Sequence, residues 1–320
     1  GLQLVIIYRG IDSIKLLETW AAPFLILMGL ALLGWAYQKA DGFGNMLSAK
    51  SAFDVGGEKE GQFLANFFPA LTGMVGFWAT LSLNIPDFTR YAKTQKDQAL
   101  GQAIGLPLFM TLFAFIGVAV TSASVTIYGE AIPDPTELAG RMGGGFGVAL
   151  ALAALTIATL STNIAANVVS PANAIMNLSP QRASFRIGGF ITAIIGVGIM
   201  PWRLIESTGG YIFTWLIGYS ALLGPIGGII IADYFLVRRT NINVDALFRR
   251  DGEYWYTSGF NWTAIAALTL GILPNVPGFL HQAGFVDNVP QIFQSIYIYA
   301  WFVGFLISGT FYTLAMPRQD

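Results

Sequence analysis

The sequence predicts an all-α protein built into a lipid bilayer. Its 320 residues are 54% hydrophobic and 11% charged, with a mean hydropathy of +0.60, too apolar for an ordinary soluble domain. Several uncharged runs reach the ~20 residues that cross a bilayer as helix. The loops between them also alternate in charge, as the two sides of a membrane require.

Taken in order, Gly1–Tyr8 reads as the tail of a span that began earlier, and Arg9–Lys15 as a tight turn. Whole spans are expected at Thr19–Tyr37, Phe67–Ile85, Ala103–Ile127, Phe146–Val169, Ile187–Met200, Tyr211–Val237, Trp262–Leu273 and Ile292–Met316. Ile187–Met200 and Trp262–Leu273 are short and should extend into their flanks. That makes eight whole helices and one partial. Gly42–Gln62 and the Gly143–Gly145 run read as flexible connectors, because no strand precedes them to make a phosphate loop.

One set of alternate loops collects Arg9, Lys15, Arg90, Lys93, Lys96, Arg182, Arg186, Arg238, Arg239, Arg249, Arg250 and Arg318. The other holds fewer basic residues, mixed with Asp41, Asp54, Glu58, Glu60, Asp134 and Glu137. The positive-inside rule makes the first set cytoplasmic and puts the C-terminus there as well. Net charge of −1 argues against nucleic acid as a partner. Without cysteine and with His281 as the only histidine, disulfides and a histidine metal centre drop out. The start at Gly1, with no signal peptide, reads as a fragment.

The stretch that concentrates chemistry is Ala149–Asn173. It is uncharged and long enough to span, yet carries Thr156, Thr159, Ser161, Thr162, Asn163 and Asn167. Polar side chains without partners are costly in hydrocarbon, so these should face a neighbouring helix, a cavity or a ligand. Helical spacing puts Ala158, Ser161 and Thr162 on one face and Thr159, Asn163 and Asn167 on another. Interhelical hydrogen bonding alone would also account for them. Hydroxyls and a freed carbonyl are hard oxygen donors suited to a small alkali cation, whereas carboxamides donate and accept at once.

Leu71–Asp87 is the second informative stretch. Trp78 falls near mid-span, away from the interfacial belt where membrane tryptophans gather, and Gly73 and Gly76 precede it. Packing would explain it, and so would a ring stacked on the indole. Asp87, Glu206 and Asp233 fall at span ends, and Glu18 is expected at the start of its helix, so no ionisable group is expected at the centre of any span. That absence favours a neutral ligand, and sodium over a proton as the coupling ion. Pro225, among the glycines of Leu223–Gly228, should bend its helix and could let Tyr211–Tyr219 move as a gate.

Three segments carry a resemblance: SLNIPDFTRYAKTQ (Ser82–Gln95), STNIAANVVSPAN (Ser161–Asn173) and LLGPIGGIIIADYFLVRR (Leu222–Arg239). They resemble signatures of the nucleobase:cation symporter-1 family of allantoin, uracil, hydantoin and cytosine permeases, with NIPDFTRYAK most similar to the allantoin/uracil branch. The resemblance implies the inverted five-helix repeat of the leucine-transporter type, with residues 1–320 forming one transporter domain from partial helix 4 to helix 12 and lacking helices 1–3. It implies that Trp78 stacks on the substrate ring, Phe77 lies beside it, Asn167 hydrogen-bonds the ring amide with Asn163 nearby, and Leu216 closes over the ring. Ala158, Ser161 and Thr162 correspond to half of a sodium site. The other half, and the helix-three tryptophan and glutamine, have no counterpart in these residues. The expected activity is symport of a neutral nucleobase-like ring with a cation across the cytoplasmic membrane, by a monomer with no organic cofactor. A proton-coupled carrier and a ligand-binding receptor are the alternatives. A membrane enzyme finds no acid, base or nucleophile set to use.

Overall fold

In a computed structural model, residues 2–204 and 210–317 are described. Glu206 and Arg318 lie outside them. The described residues are nearly all helix, with one isolated bridge between Thr257 and Phe260. Helices α1 (Leu2–Arg9), α2 (Ile11–Lys39) and α3 (Phe63–Asn84) come first. They are followed by α4 (Gln95–Tyr128), α5 (Gly145–Leu178) and α6 (Phe185–Gly198). The chain continues through α7 (Phe213–Val237), α8 (Trp262–Gln282), α9 (Gln291–Ile298) and α10 (Ala300–Ala315).

Six of these, α2, α3, α4, α5, α7 and α8, are long and apolar enough to cross a membrane, and a seventh span results if α9 and α10 count as one. Each span expected from the sequence has a helical counterpart, with two corrections. The span over Ile187–Met200 is the 14-residue α6, which both starts and ends two residues earlier than expected and so gains no length. The span over Ile292–Met316 is broken by an 88° bend between α9 and α10. Tyr299, at φ −107° and ψ 28°, leaves the helical register there. The Ile298 carbonyl accepts the Thr72 hydroxyl proton at 2.6 Å. A partner outside the ladder satisfies a group that the break would otherwise strand in hydrocarbon.

Packing divides the chain into two compact units, each built from two segments: Gly1–Glu58 with Ile85–Ile199, and Lys59–Asn84 with Met200–Asp320. In the first unit α2 lies against α4 and α5. Ala36, Ile116, Ala119, Val120 and Ala123 make one apolar core, and Ile14, Ile164 and Val169 another. In the second unit α7 packs along α10 with almost no room between backbones. A Cβ on Gly224 would stand 2.5 Å from the Trp301 carbonyl oxygen, and one on Gly228 would overlap that of Phe305. Small residues of this kind let membrane helices approach without a hydrophobic driving force.

α7 continues as α-helix through Pro225, the position where the sequence predicts a bend. The proline ring fits a notch between Gly271 and Gly304, and its carbonyl accepts the Ser308 hydroxyl proton at 2.9 Å. The irregular turns lie instead at the two ends, where Gly210–Leu216 and Ala232–Val237 are π-helical.

Candidate functional site

Ser161 sits midway along α5, with 16 residues before it and 17 after. Its side chain is buried and donates to Glu18 Oε2 at 2.7 Å. Glu18 is therefore not at the start of its span. α2 begins at Ile11, so the carboxylate lies about 10 Å along the helix at 1.5 Å per residue. The sequence signal for this was present: Ile14, Glu18 and Ala21 are four and three residues apart on one helix face, and Ile14 and Ala21 are each 3% exposed. An ionisable group does lie inside a span, which removes the sequence argument that disfavoured a proton as the coupling ion.

Thr162 is exposed and Ala158 half-buried on the same stretch of α5. The Thr156 hydroxyl bonds neither a neighbouring helix nor a ligand group but its own helix, donating to Leu152 O at 2.8 Å. Asn163 and Asn167 form the carboxamide pair that their spacing predicts: Asn167 Nδ2 donates to Asn163 Oδ1 at 2.8 Å, with Asn167 exposed. Asn167 stands on a π-helical turn, Ala165–Val169. Such turns widen the helix locally and are frequent at functional sites. Just beyond, buried Asn173 donates to Asp87 Oδ1 at 2.9 Å and ties the PDFT turn to α5.

The second unit carries the aromatic residues. Trp78 is half-buried and meets Phe77 edge-on, ring centroids 5.3 Å apart, while Phe77 is 47% exposed. Trp78 lines a cleft of 390 Å³ with Met74, Val75, Ala79 and Trp301. Gly76 presses α3 against α7: a Cβ there would stand 2.5 Å from Leu216 O and overlap Ser220 Oγ. Ser220 in turn donates to Leu216 O at 2.9 Å and to Thr72 O at 3.0 Å. Leu216 is buried at the end of the π-helical Gly210–Leu216 turn. A larger cavity of 920 Å³ lies between α7 and α8, walled by Trp215, Tyr219, Asn275 and Phe279.

Polar anchors hold the helix ends. Arg238 Nε donates to Asp233 Oδ2 at 2.7 Å and its Nη2 to the Tyr256 hydroxyl at 2.7 Å, while Tyr312 donates to Asp233 Oδ1 at 2.7 Å. In the loop after α4, Arg141 clamps Glu130 and Glu137 at 2.6 and 2.7 Å. Asp134 caps a short helix, Pro135–Arg141, and the backbone N–H groups of Glu137 and Thr136 hold its carboxyl below the usual aspartate range. Among the described residues no group of three or more histidine, cysteine or acidic side chains could hold a metal.

Among solved structures the chain is similar to the inward-facing conformation of Mhp1, with a TM-score of 0.66 and 27% identity over 98% of this chain and 64% of that one. The fold is of the leucine-transporter type, and the class is a multi-pass membrane protein. Residues 2–304 match the family of permeases for cytosine/purines, uracil, thiamine and allantoin, and the chain belongs to that family. It is 49% identical to the purine-uracil permease NCS1 of Arabidopsis thaliana over 99% of this chain and 52% of that protein. It is 41% identical to the allantoin permease of Bacillus subtilis (99% and 62%) and 31% identical to the hydantoin permease of Microbacterium maritypicum (89% and 58%). The chain thus spans less than two thirds of each relative, all of them permeases and none an enzyme.

Proposed function

We propose that the full-length protein carries a neutral nucleobase-like ring across the cytoplasmic membrane in symport with a cation, by alternating access, with its C-terminus in the cytoplasm. The Asn163–Asn167 pair carries this reading. It offers a donor and an acceptor on an uncharged, widened turn, which suits a ring that alternates N–H and C=O groups. Trp78 supplies the stacking face with Phe77 beside it, worth about 0.5–1.5 kcal/mol beyond area burial. Leu216 closes over the ring. The relatives' substrates point to uracil and allantoin as first choices, and a monomer suffices.

The coupling ion in this reading is sodium, held in part by the Ala158 carbonyl and the hydroxyls of Ser161 and Thr162. The oxygen-only donor set is what supports it. A cation that binds one conformation better raises substrate affinity in that conformation, and the coupling is reciprocal.

The test is uptake of labelled uracil and allantoin by the full-length protein in proteoliposomes under a sodium gradient, then under a proton gradient alone. Asn167→Ala should weaken ring binding about 10- to 100-fold, the cost of leaving the ring's polar groups unpaired. Accumulation under the proton gradient alone would overturn sodium as the coupling ion. Binding without counterflow would make the protein a receptor.

A further inference from the structure

The Glu18 carboxylate has one oxygen without a hydrogen-bond partner among the described residues. Oε2 accepts the Ser161 hydroxyl proton, but Oε1 is fully enclosed and has no hydrogen-bond partner. A charge inside a span is costly unless something offsets it, and buried polar atoms without partners are rare enough to require a reason.

Among the described residues, the elements packed on α2 supply no countercharge. α5 contains no Asp, Glu, Lys, Arg or His, and neither does α4 from Leu106 to Tyr128. α1 contributes only Tyr8 and Arg9 at its end, and the Arg186 guanidinium lies over the Tyr8 ring. Along α2, Lys15 is the nearest basic residue. Its ammonium lies 4.0 Å from Asp12 and 3.9 Å from the centre of the Tyr91 ring. Asp87, across from α5, is held by Asn173.

Along α5 beside Ser161 the sequence offers further hard oxygen donors. A hydroxyl that coordinates a cation does so through its lone pairs, so its proton needs an acceptor elsewhere. Glu18 Oε2 is that acceptor for Ser161. Thr162 follows Ser161, and Ala158 precedes it by one helical turn.

We propose that Glu18 is the anionic member of the coupling-cation site: Oε1 is a direct ligand of sodium, and Oε2 fixes the Ser161 hydroxyl so that its lone pairs face the same ion. This rests on the sodium reading of Ser161 and Thr162 given above and adds to it a full negative charge from a different helix, α2. Sodium loading would then tie α2 to α5 within the first unit.

Equilibrium binding of ²²Na⁺ to the full-length protein in detergent, without any ring present, tests this. Glu18→Gln keeps the size and the acceptor for Ser161 but removes the charge. Sodium affinity should fall about tenfold or more, since the lost attraction acts in a partly desolvated site. Ser161→Ala should fall less, and Glu18→Asp, which keeps the charge with a shorter reach, should lie between wild type and Glu18→Gln. Each variant is checked for folding by helical circular dichroism and a single size-exclusion peak. If Glu18→Gln does not fold, Glu18→Asp decides, and wild-type sodium affinity in that variant refutes the idea. Sodium binding by Glu18→Gln within twofold of wild type would overturn the proposal while leaving the sodium reading intact. A wild-type protein that binds no sodium would overturn both.

Discussion

Replacing Gly76 by Ala should destabilise the protein, although Ala is the better helix former. A methyl at Gly76 would stand 2.5 Å from Leu216 O, against the 3.4 Å where ordinary contact begins, and would overlap Ser220 Oγ. Leu216 O is backbone and cannot rotate away, so α3 must retreat from α7 by about 0.9 Å, the difference between those distances, or Ser220 must turn. Overpacking of this kind costs about 1–3 kcal/mol. Turning Ser220 also forfeits its bond to Thr72 O, about 1 kcal/mol more. Helix propensity acts in the opposite direction by about 1 kcal/mol, which leaves a net loss of about 1–3 kcal/mol. The control is Gly117→Ala in α4, where nothing lies within 4 Å and propensity acts alone. Thermal melts of the full-length protein, followed by tryptophan fluorescence, should show Gly76→Ala below wild type and Gly117→Ala level with it or above. A Gly76→Ala protein that melts at or above wild type would refute the close α3–α7 approach.

Arg238→Lys keeps the charge at the end of α7 but replaces a planar fork by a single ammonium, which cannot serve Asp233 and the Tyr256 hydroxyl in the same geometry. Residues 241–260 should then exchange amide hydrogens faster, on the order of tenfold, while exchange in α4 stays unchanged; uniform exchange would show that the pair does not hold that segment. Asp134→Ala should speed exchange across Pro135–Arg141 by removing its cap. Acid should have the same local effect. The lowered carboxyl pKa means that the stability Asp134 lends is fully present above the ordinary aspartate value of about 3.9 and is lost as pH falls through the lowered one. Protection in Pro135–Arg141 that holds steady as pH falls through that range would count against the cap.

The positions of the spans were legible because membrane helices announce themselves by long uncharged runs, and the expected Thr19–Tyr37 and Phe146–Val169 both fall within observed helices, α2 and α5. The shared face of Asn163 and Asn167 followed from helical spacing alone. Three features were not legible, each for a physical reason. The start of α2 was placed too late because Arg9–Lys15, with Asp12 and Lys15 in it, read as a tight turn and Glu18 as the start of the helix, whereas the helix begins at Ile11. Lys15 in fact pairs with Asp12, and only Glu18 turns inward among Ile14 and Ala21. The break at Tyr299 leaves the Ile298 carbonyl to the Thr72 hydroxyl, 226 residues before Ile298, and no local pattern encodes such a contact. Pro225 was read as a hinge, but its effect depends on Gly271 and Gly304, which come from two other helices and leave its ring a fitted space.

The π-helical turns show how chemistry enters spans that must otherwise keep every backbone group paired. A turn of five residues rather than four shifts the hydrogen-bond ladder and opens the backbone without leaving the helix. Asn167 stands within one such turn, Leu216 closes another, and Asp233 lies in a third, where Arg238 and Tyr312 hold it. Glu18 and Ser161 solve the same problem differently. They stand on regular α-helix, so no shifted backbone group is on offer there and side chains must do the work. Ser161 satisfies half of the carboxylate, and its other oxygen is left for something that only side-chain and ion chemistry can supply. A ring needs a wide turn with donors and acceptors, and a bare ion needs close-packed oxygens and charge. The two kinds of residue follow one another along α5, Ser161 on regular helix and Asn167 on the π-helical turn that succeeds it.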